Sequence, residues 1–324
     1  MRLCVDVGGS KVAVMLADAQ GLIPTTRCEA PTVRTGAPDA LVGQVLLLAD
    51  QALARARALG RDAGPVRAVG VSACGPFVRH DGALALASPN LCGGLAGDGA
   101  LPNAWRQIPL EAGLWPELRR RFGPAVQLAL GNDAVAALQA ERLWGALQGE
   151  SNCAYVTWST GIGVGLCVDG RVLQGKHGNA GHAGHSIVAD DPASPLCGCG
   201  NRGDVEALAG GAALARRLDT DVATLMAAAA RGEPAAAQVA GGLCAVVGRL
   251  LYNLVVTLDL QAISLGGGIL LHHADWLLPR LRQEVAARLP ALTAGVRIEA
   301  AGLGHAVADH AARALAEAAL QRGA

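Results

Sequence analysis

Two glycine-rich turns, each set between apolar runs, constrain this 324-residue chain more than any other feature. Leu3-Cys4-Val5-Asp6-Val7 leads into Gly8-Gly9-Ser10-Lys11, and Val12 to Ala17 leads away. Much later Ala154 to Trp158 leads into Ser159-Thr160-Gly161-Ile162-Gly163, and Val164 to Val168 follows. Apolar, β-prone runs on either side of residues that tolerate positive φ predict strand, tight turn and returning strand. Bare backbone N–H groups in such turns suit phosphate oxygens. Two turns of this kind, with the acid Asp6 at the end of the first strand, suggest a nucleotide held between two related halves.

The length suggests about two domains of ordinary size. Apolar residues make up 52% of the chain and charged ones 17%, enough for packed cores and unlike a disordered chain. Lys plus Arg (27) balances Asp plus Glu (27), so no global field points to nucleic acid or an anionic membrane. Aromatics, at 3%, are too few for a base-stacking surface, and Arg119-Arg120-Arg121 reads as a solvated helix end. Cys4, Cys153 and Cys167 lie inside apolar strands, where a reduced thiol behaves as a small hydrophobe. The first hairpin begins at once, so no secretory leader is expected. No run is read as long and apolar enough to span a bilayer. A reducing cytoplasm is the expected location.

Strands and helices alternate along the chain, which predicts α/β layers. Apolar residues recur at helical spacing over Ala40–Leu59, followed by a strand at Val66–Ser72. Residues 88–109 read as loop, with the Gly-rich stretch 93–99 as the best candidate for a mobile insertion. Val126–Leu130 predicts a short strand meeting Gly131-Asn132-Asp133, and a helix follows over Ala134–Trp144. His177–Gly203 is dense in Gly, His and Cys and poor in regular pattern. Helices are expected over Val205–Leu225 and Ala235–Leu258, a strand over Ala262–Leu265 closed by Gly266-Gly267-Gly268, and a final helix over Ala306–Gln321.

The ordered set Asp6-Val7-Gly8-Gly9-Ser10-Lys11, Gly131-Asn132-Asp133-Ala134, Ser159-Thr160-Gly161-Ile162-Gly163 and Gly266-Gly267-Gly268, with Cys197-Gly198-Cys199-Gly200, resembles the ROK family of bacterial sugar kinases and repressors. The resemblance runs from Leu3 to about Leu270. It implies the two-lobed actin-like ATPase (ribonuclease H-like) fold. Each lobe would be a mixed sheet flanked by helices, with the ligand cleft between them. The expected lobes are 1–129, with a C-terminal helix about 305–324 packing back on it, and 130–304, containing a zinc-knuckle-like segment at 185–206.

By that resemblance Gly8, Gly9, Ser10 and Lys11 face the phosphates of ATP and Asp6 orients Mg²⁺ through water. Ser159, Thr160 and Gly161 form the second phosphate turn, and Gly266, Gly267 and Gly268 approach the adenosine side. A carboxylate at a strand end can accept the proton of a sugar hydroxyl as it attacks the γ-phosphate. Asp133 is the expected base, although Asp133 and Asn132 also suit helix capping. Asn90, Asn132, His182, His185 and Glu206 are the expected acceptor contacts.

Two departures from the family pattern stand out. His182 occupies the place of a Glu that touches the sugar, and imidazole offers one donor and one acceptor without a fixed negative charge. In the metal knuckle, His185, an eleven-residue gap, Cys197 and Cys199 are kept, but the third Cys is Asp204. Zinc accepts carboxylate ligands, so His185, Cys197, Cys199 and Asp204 could hold a structural Zn²⁺. The alternative is a knuckle held by hydrogen bonds alone.

The resulting expectation is an ATP-dependent kinase, with Mg²⁺, acting on the primary 6-hydroxyl of a hexose and assembled as a homodimer. Glucose is the default acceptor, and a modified hexose or C7-cyclitol of the kanosamine or valiolone type is the alternative. A sugar-sensing transcription regulator ranks below both, because the phosphate hairpin begins at Leu3 and leaves no room for a helix-turn-helix.

Overall fold

The first strand explains the first layer. In β1 (Arg2–Val7) residues alternate between two buried faces. Leu3, Val5 and Val7 pack with Leu41, Val45 and Leu48, while Cys4 packs with Ala312 on the other side. A strand covered on both faces reads as a nearly continuous apolar run. The computed structural model describes residues 1–60, 64–95 and 101–322. Most of the 93–99 insertion therefore lies outside the described residues. The chain packs as two units, 1–140 with 174–179 and 308–324, and 141–173 with 180–307.

In the first unit β1 is followed by β2 (Lys11–Ala17), β3 (Leu22–Pro31), α1 (Ala40–Ala58), β4 (Ala68–Ala73), β5 (Phe77–His80), β6 (Ala83–Leu86), α2 (Leu110–Phe122) and β7 (Gln127–Asn132). The main sheet has the order β3-β2-β1-β4-β7, antiparallel through the hairpin and parallel through β1, β4 and β7. Helix α3 (Asp133–Trp144) begins where β7 ends.

The second unit repeats this plan. Its strands are β8 (Cys153–Trp158), β9 (Ile162–Val168), β10 (Arg171–Val172), β11 (Ala262–Gly266) and β12 (Arg297–Ala300), ordered β10-β9-β8-β11-β12. The helices are α4 (Val205–Ala209), α5 (Gly211–Arg217), α6 (Val222–Ala230), α7 (Pro234–Leu258), α8 (Gly268–His272), α9 (Ala274–Ala286) and α10 (Pro290–Thr293). The last helix, α11 (Val307–Arg322), packs on the first sheet. Its approach requires Gly70 on β4, since a Cβ there would lie 2.0 Å from the Ala312 carbonyl oxygen.

Two expectations change, for the helix at 205–225 and for the run of membrane-spanning length, and two elements were not anticipated, β3 and the β5–β6 hairpin. The helix expected over Val205–Leu225 is three helices, because Asp204 and Asp221 cap new starts and Gly210 and Leu218 are extended. The segment before Ala40 contains β3, paired with β2 through residues the alternation did not flag. The β5–β6 hairpin turns on Asp81 and Gly82, both with positive φ (50° and 82°), and Asp-Gly was its legible signal. Finally, α7 is a 25-residue helix long and apolar enough by length and composition to cross a membrane. Half of its most apolar window is buried, and Leu243, Val247, Leu251 and Val255 pack with Leu277 and Leu281 of α9.

Candidate active site

Parallel, in-register pairing gathers the first group of expected residues. Asp6 is opposite Ser72 on β4, and Ser72 is opposite Gly131 on β7. The carboxyl ends of β1 and β7 therefore reach one edge of the sheet, where α/β sheets collect ligands. Asn132 ends β7 and Asp133 opens α3. Buried Asn132 accepts through Oδ1 from the N–H groups of Ala134 (3.0 Å) and Val135 (3.3 Å), and Asp133 Oδ1 accepts from Ala134 N–H (2.8 Å). Asn132 is thus a helix cap, which fixes the backbone that carries Asp133.

Asp6 is half-buried on the face of the sheet that α11 covers. Burial, then the nearby Asp133 carboxylate, push its carboxyl up to about 7. Ser72 Oγ, in register with Asp6, is buried and has no hydrogen-bond partner among the described residues. Hard oxygen donors whose charges repel, beside an orphaned hydroxyl, fit a divalent cation of the Mg²⁺ class.

The turn after β1 closes through Gly8 N–H on the Lys11 carbonyl (2.9 Å). Its other carbonyls are tied back. Thr32 Oγ1 donates to Gly8 O (2.8 Å), Arg34 Nη2 to Gly9 O (2.7 Å) and Thr32 N–H to Ser10 O (3.0 Å). The N–H groups of Gly9 and Ser10 have no acceptor among the described residues, the arrangement that suits an anion. Lys11 points to Glu29 on β3 (Nζ–Oε2 3.3 Å). Asn90 lies over this turn, with its Cβ 3.2 Å from where a Gly9 Cβ would be.

In the second unit, Ser159–Gly161 and Gly266–Gly268 meet because β8 and β11 are parallel neighbours, with Thr157 opposite Gly266. A Cβ on Gly267 (φ 88°) would lie 2.4 Å from the Trp158 carbonyl oxygen, so only glycine brings the two turns this close. The carbonyls of Ser159 and Thr160 accept from the first N–H groups of α5 (Gly211 2.8 Å, Ala212 2.9 Å). Glu206 lies against the same turn, where its Oε2 accepts from Ile162 N–H (2.8 Å). This backbone role was not foreseen for a residue expected on the acceptor.

The knuckle residues come together. The ligand atoms of His185, Cys197, Cys199 and Asp204 all lie within 4.8 Å of one another. His185 Nδ1 is 3.4 Å from Asp204 Oδ2 and 3.7 Å from Cys197 Sγ, and Cys199 Sγ is 3.2 Å from Asp204 Oδ2. Tetrahedral zinc with bonds of about 2.0–2.3 Å sets ligand edges at roughly 3.3–3.7 Å, so the donor set fits Zn²⁺. Asp204 Oδ1 caps α4 through Ala207 N–H (2.7 Å), which leaves Oδ2 toward the cluster. Burial alone would raise Asp204, but hydrogen bonds from His185, Ala207 and the two thiols hold it below the usual carboxylate range. The same contact with Asp204 raises His185. His182 stacks beside His185, with ring centroids 6.3 Å apart.

The sequence reading missed Thr32 and Arg34, which brace the first turn from a loop without motif character. It also missed buried Glu141, whose side chain accepts from Ala146, Gly302 and Leu303 N–H and from Ser264 Oγ.

The sequence model of the ROK family matches residues 2–319. N-acetylmannosamine kinase of Shigella boydii is 32% identical over 314 residues, which cover 94% of this chain and 97% of that protein. N-acetylmannosamine kinase of Citrobacter koseri is 33% identical over 312 residues, covering 93% and 95%. Among solved structures, the ROK hexokinase of Thermus thermophilus superposes with a TM-score of 0.77 at 28% identity and covers 99% of both chains. A ROK family glucokinase of Streptomyces griseus, in complex with glucose and AMPPNP, gives 0.72 at 26% identity, again over 99% of both chains. These neighbours share the α/β fold with mixed sheets flanked by helices that is described above. A match that runs from the first strand into the last helix leaves one assignment: the chain belongs to the ROK family.

Proposed function

We propose that this ROK-family chain is a kinase that transfers the γ-phosphoryl group of ATP to the primary hydroxyl of an N-acylated hexosamine of the N-acetylmannosamine type. The observation that carries the transfer is the strand-end pair Asp6 and Asp133 beside a turn whose Gly9 and Ser10 N–H groups lack acceptors among the described residues. Asp133 accepts the hydroxyl proton as the oxygen attacks phosphorus, and ADP leaves. The Asn132 cap holds Asp133 in place. Gly9 and Ser10 N–H groups receive phosphate oxygens. Asp6 would orient Mg²⁺ through water, and the bound ion would neutralise charge on the phosphates.

Two observations move the acceptor from the default glucose to a hexosamine. The relatives cited above at 32–33% identity are N-acetylmannosamine kinases. His182 also stands where the family's Glu would only accept hydrogen bonds. An amide substituent presents both a donor and an acceptor, as imidazole does. We further propose that Zn²⁺ on His185, Cys197, Cys199 and Asp204 fixes the loop that carries His182.

The test is acceptor-dependent ADP release with Mg-ATP and a panel of N-acetylmannosamine, N-acetylglucosamine, glucose, fructose, allose, kanosamine and a valiolone-type cyclitol. The hexosamine reading expects the highest kcat/KM with N-acetylmannosamine, and His182→Glu should move preference toward glucose. A wild-type preference for glucose or the cyclitol would overturn the acceptor assignment, and no turnover with any acceptor would overturn the kinase reading.

A further inference from the structure

Phosphoryl transfer needs positive charge beside the turn that holds the phosphates, and the residue next to this turn is Lys11. In the structure Lys11 is directed elsewhere. It begins β2 at the sheet surface, its side chain is 52% exposed, and its ammonium sits 3.3 Å from Glu29, which is also paired with Arg27. A different cation occupies the turn. Arg34, half-buried, donates from Nη2 to the Gly9 carbonyl at 2.7 Å, and no carboxylate among the described residues pairs with it.

The loop bearing Arg34 is locked on the acceptor side as well. Asn103 Nδ2 donates to the Arg34 carbonyl (3.1 Å) and to the Leu91 carbonyl (3.2 Å), and Asn103 Oδ1 accepts from Gly93 N–H (2.8 Å). Asn90 in turn lies against Gly9. Arg34 therefore stands where the phosphate turn adjoins the segment carrying the expected acceptor contact. A guanidinium has five N–H donors in a fixed fork. One serves Gly9 and others remain for phosphoryl oxygens, which planar guanidinium groups bind in bidentate fashion.

We propose that Arg34, rather than Lys11, is the side-chain cation that holds the transferring phosphoryl group. This rests on the kinase reading above. In the full-length chain, Arg34→Gln is expected to lower kcat by about 10²–10³-fold, the usual loss when a charge-stabilising donor is removed. Arg34→Lys should recover part of the loss, and Lys11→Ala should cost at least tenfold less than Arg34→Gln. The readout that a merely structural role would not move is nucleotide selectivity in calorimetry. Arg34→Gln should weaken Mg-AMPPNP binding by about tenfold or more while leaving Mg-ADP binding within a factor of about two. Weakening of both nucleotides alike, or a larger loss in Lys11→Ala than in Arg34→Gln, would overturn the assignment. Wild-type protein that releases no ADP with any acceptor would instead remove the kinase reading on which the assignment rests.

Discussion

Replacing Glu141 should destabilise the second unit more than any surface substitution. Its carboxylate is fully buried and receives three backbone donors, Ala146 (2.8 Å), Gly302 (3.0 Å) and Leu303 (2.9 Å), together with the Ser264 hydroxyl (3.2 Å). None of those three N–H groups has a backbone acceptor among the described residues. Hydrogen bonds to a charged group are each worth about 1.5–3 kcal/mol, and a buried donor left unmade costs about 1–3 kcal/mol. The four act on one group and are not additive, so Glu141→Ala should cost about 3–5 kcal/mol. Glu141→Gln keeps an oxygen for three of the donors but sets its amide N–H₂ against Leu303 N–H, and should cost about 1–3 kcal/mol. Gly145→Ala provides an independent check, because a Cβ there would fall 2.4 Å from Glu141 Oε2. Urea unfolding gives the free-energy loss, and hydrogen exchange at Ala146, Gly302 and Leu303 locates it. Glu141→Ala within about 1 kcal/mol of wild type, with those amides still protected, would refute the reasoning.

Asp6 links activity and stability in opposite directions. Its carboxyl titrates at an ordinary 3.8 in the unfolded chain and at about 7 in the fold. Between those values the native state binds more protons, so the burden of the buried charge grows as pH rises and is complete above about 7. The ligand-free Asp6→Asn variant should therefore match wild type near pH 4 and exceed its stability by up to about 4 kcal/mol at pH 8, while losing activity. A pH-independent difference in urea midpoints would contradict this. Asp133→Asn should leave Mg-AMPPNP binding intact and lower kcat by about 10²–10⁴-fold, and near-normal turnover would reject Asp133 as the base. Purified wild-type protein should carry one zinc per chain by elemental analysis. Asp204→Cys should retain it and Asp204→Ala should lose it, whereas zinc-free wild type from zinc-supplemented cultures would reject the site.

What the sequence determines here is what a few adjacent residues determine. The two hairpins and the β7–α3 junction are legible because apolar runs, glycines and a capping Asn132-Asp133 pair act within a turn or two of themselves. The knuckle was legible only through the family resemblance, whose pattern His185, Cys197 and Cys199 keep and Asp204 alters, and folding brings their ligand atoms within 4.8 Å of one another. Other features depended on partners far away in the chain. β3 is a strand because β2 offers it a ladder, despite Pro24 and the charges of Arg27 and Glu29. The three-way break of 205–225 follows from caps that compete with helix propensity only where Asp204 and Asp221 meet open N–H groups. Lys11 reads as a phosphate cation beside its turn, and the fold adds a partner that the local sequence does not show, Glu29 on the neighbouring strand at 3.3 Å. Arg34 and Glu141 carry no motif, and their meaning comes from the acceptor and donors that folding brings to them: the Gly9 carbonyl 25 residues away and the Gly302 and Leu303 amides 161 and 162 residues away. Local conformational preference wrote the turns into the sequence, whereas the pairing of buried charge with distant backbone was decided only by tertiary structure.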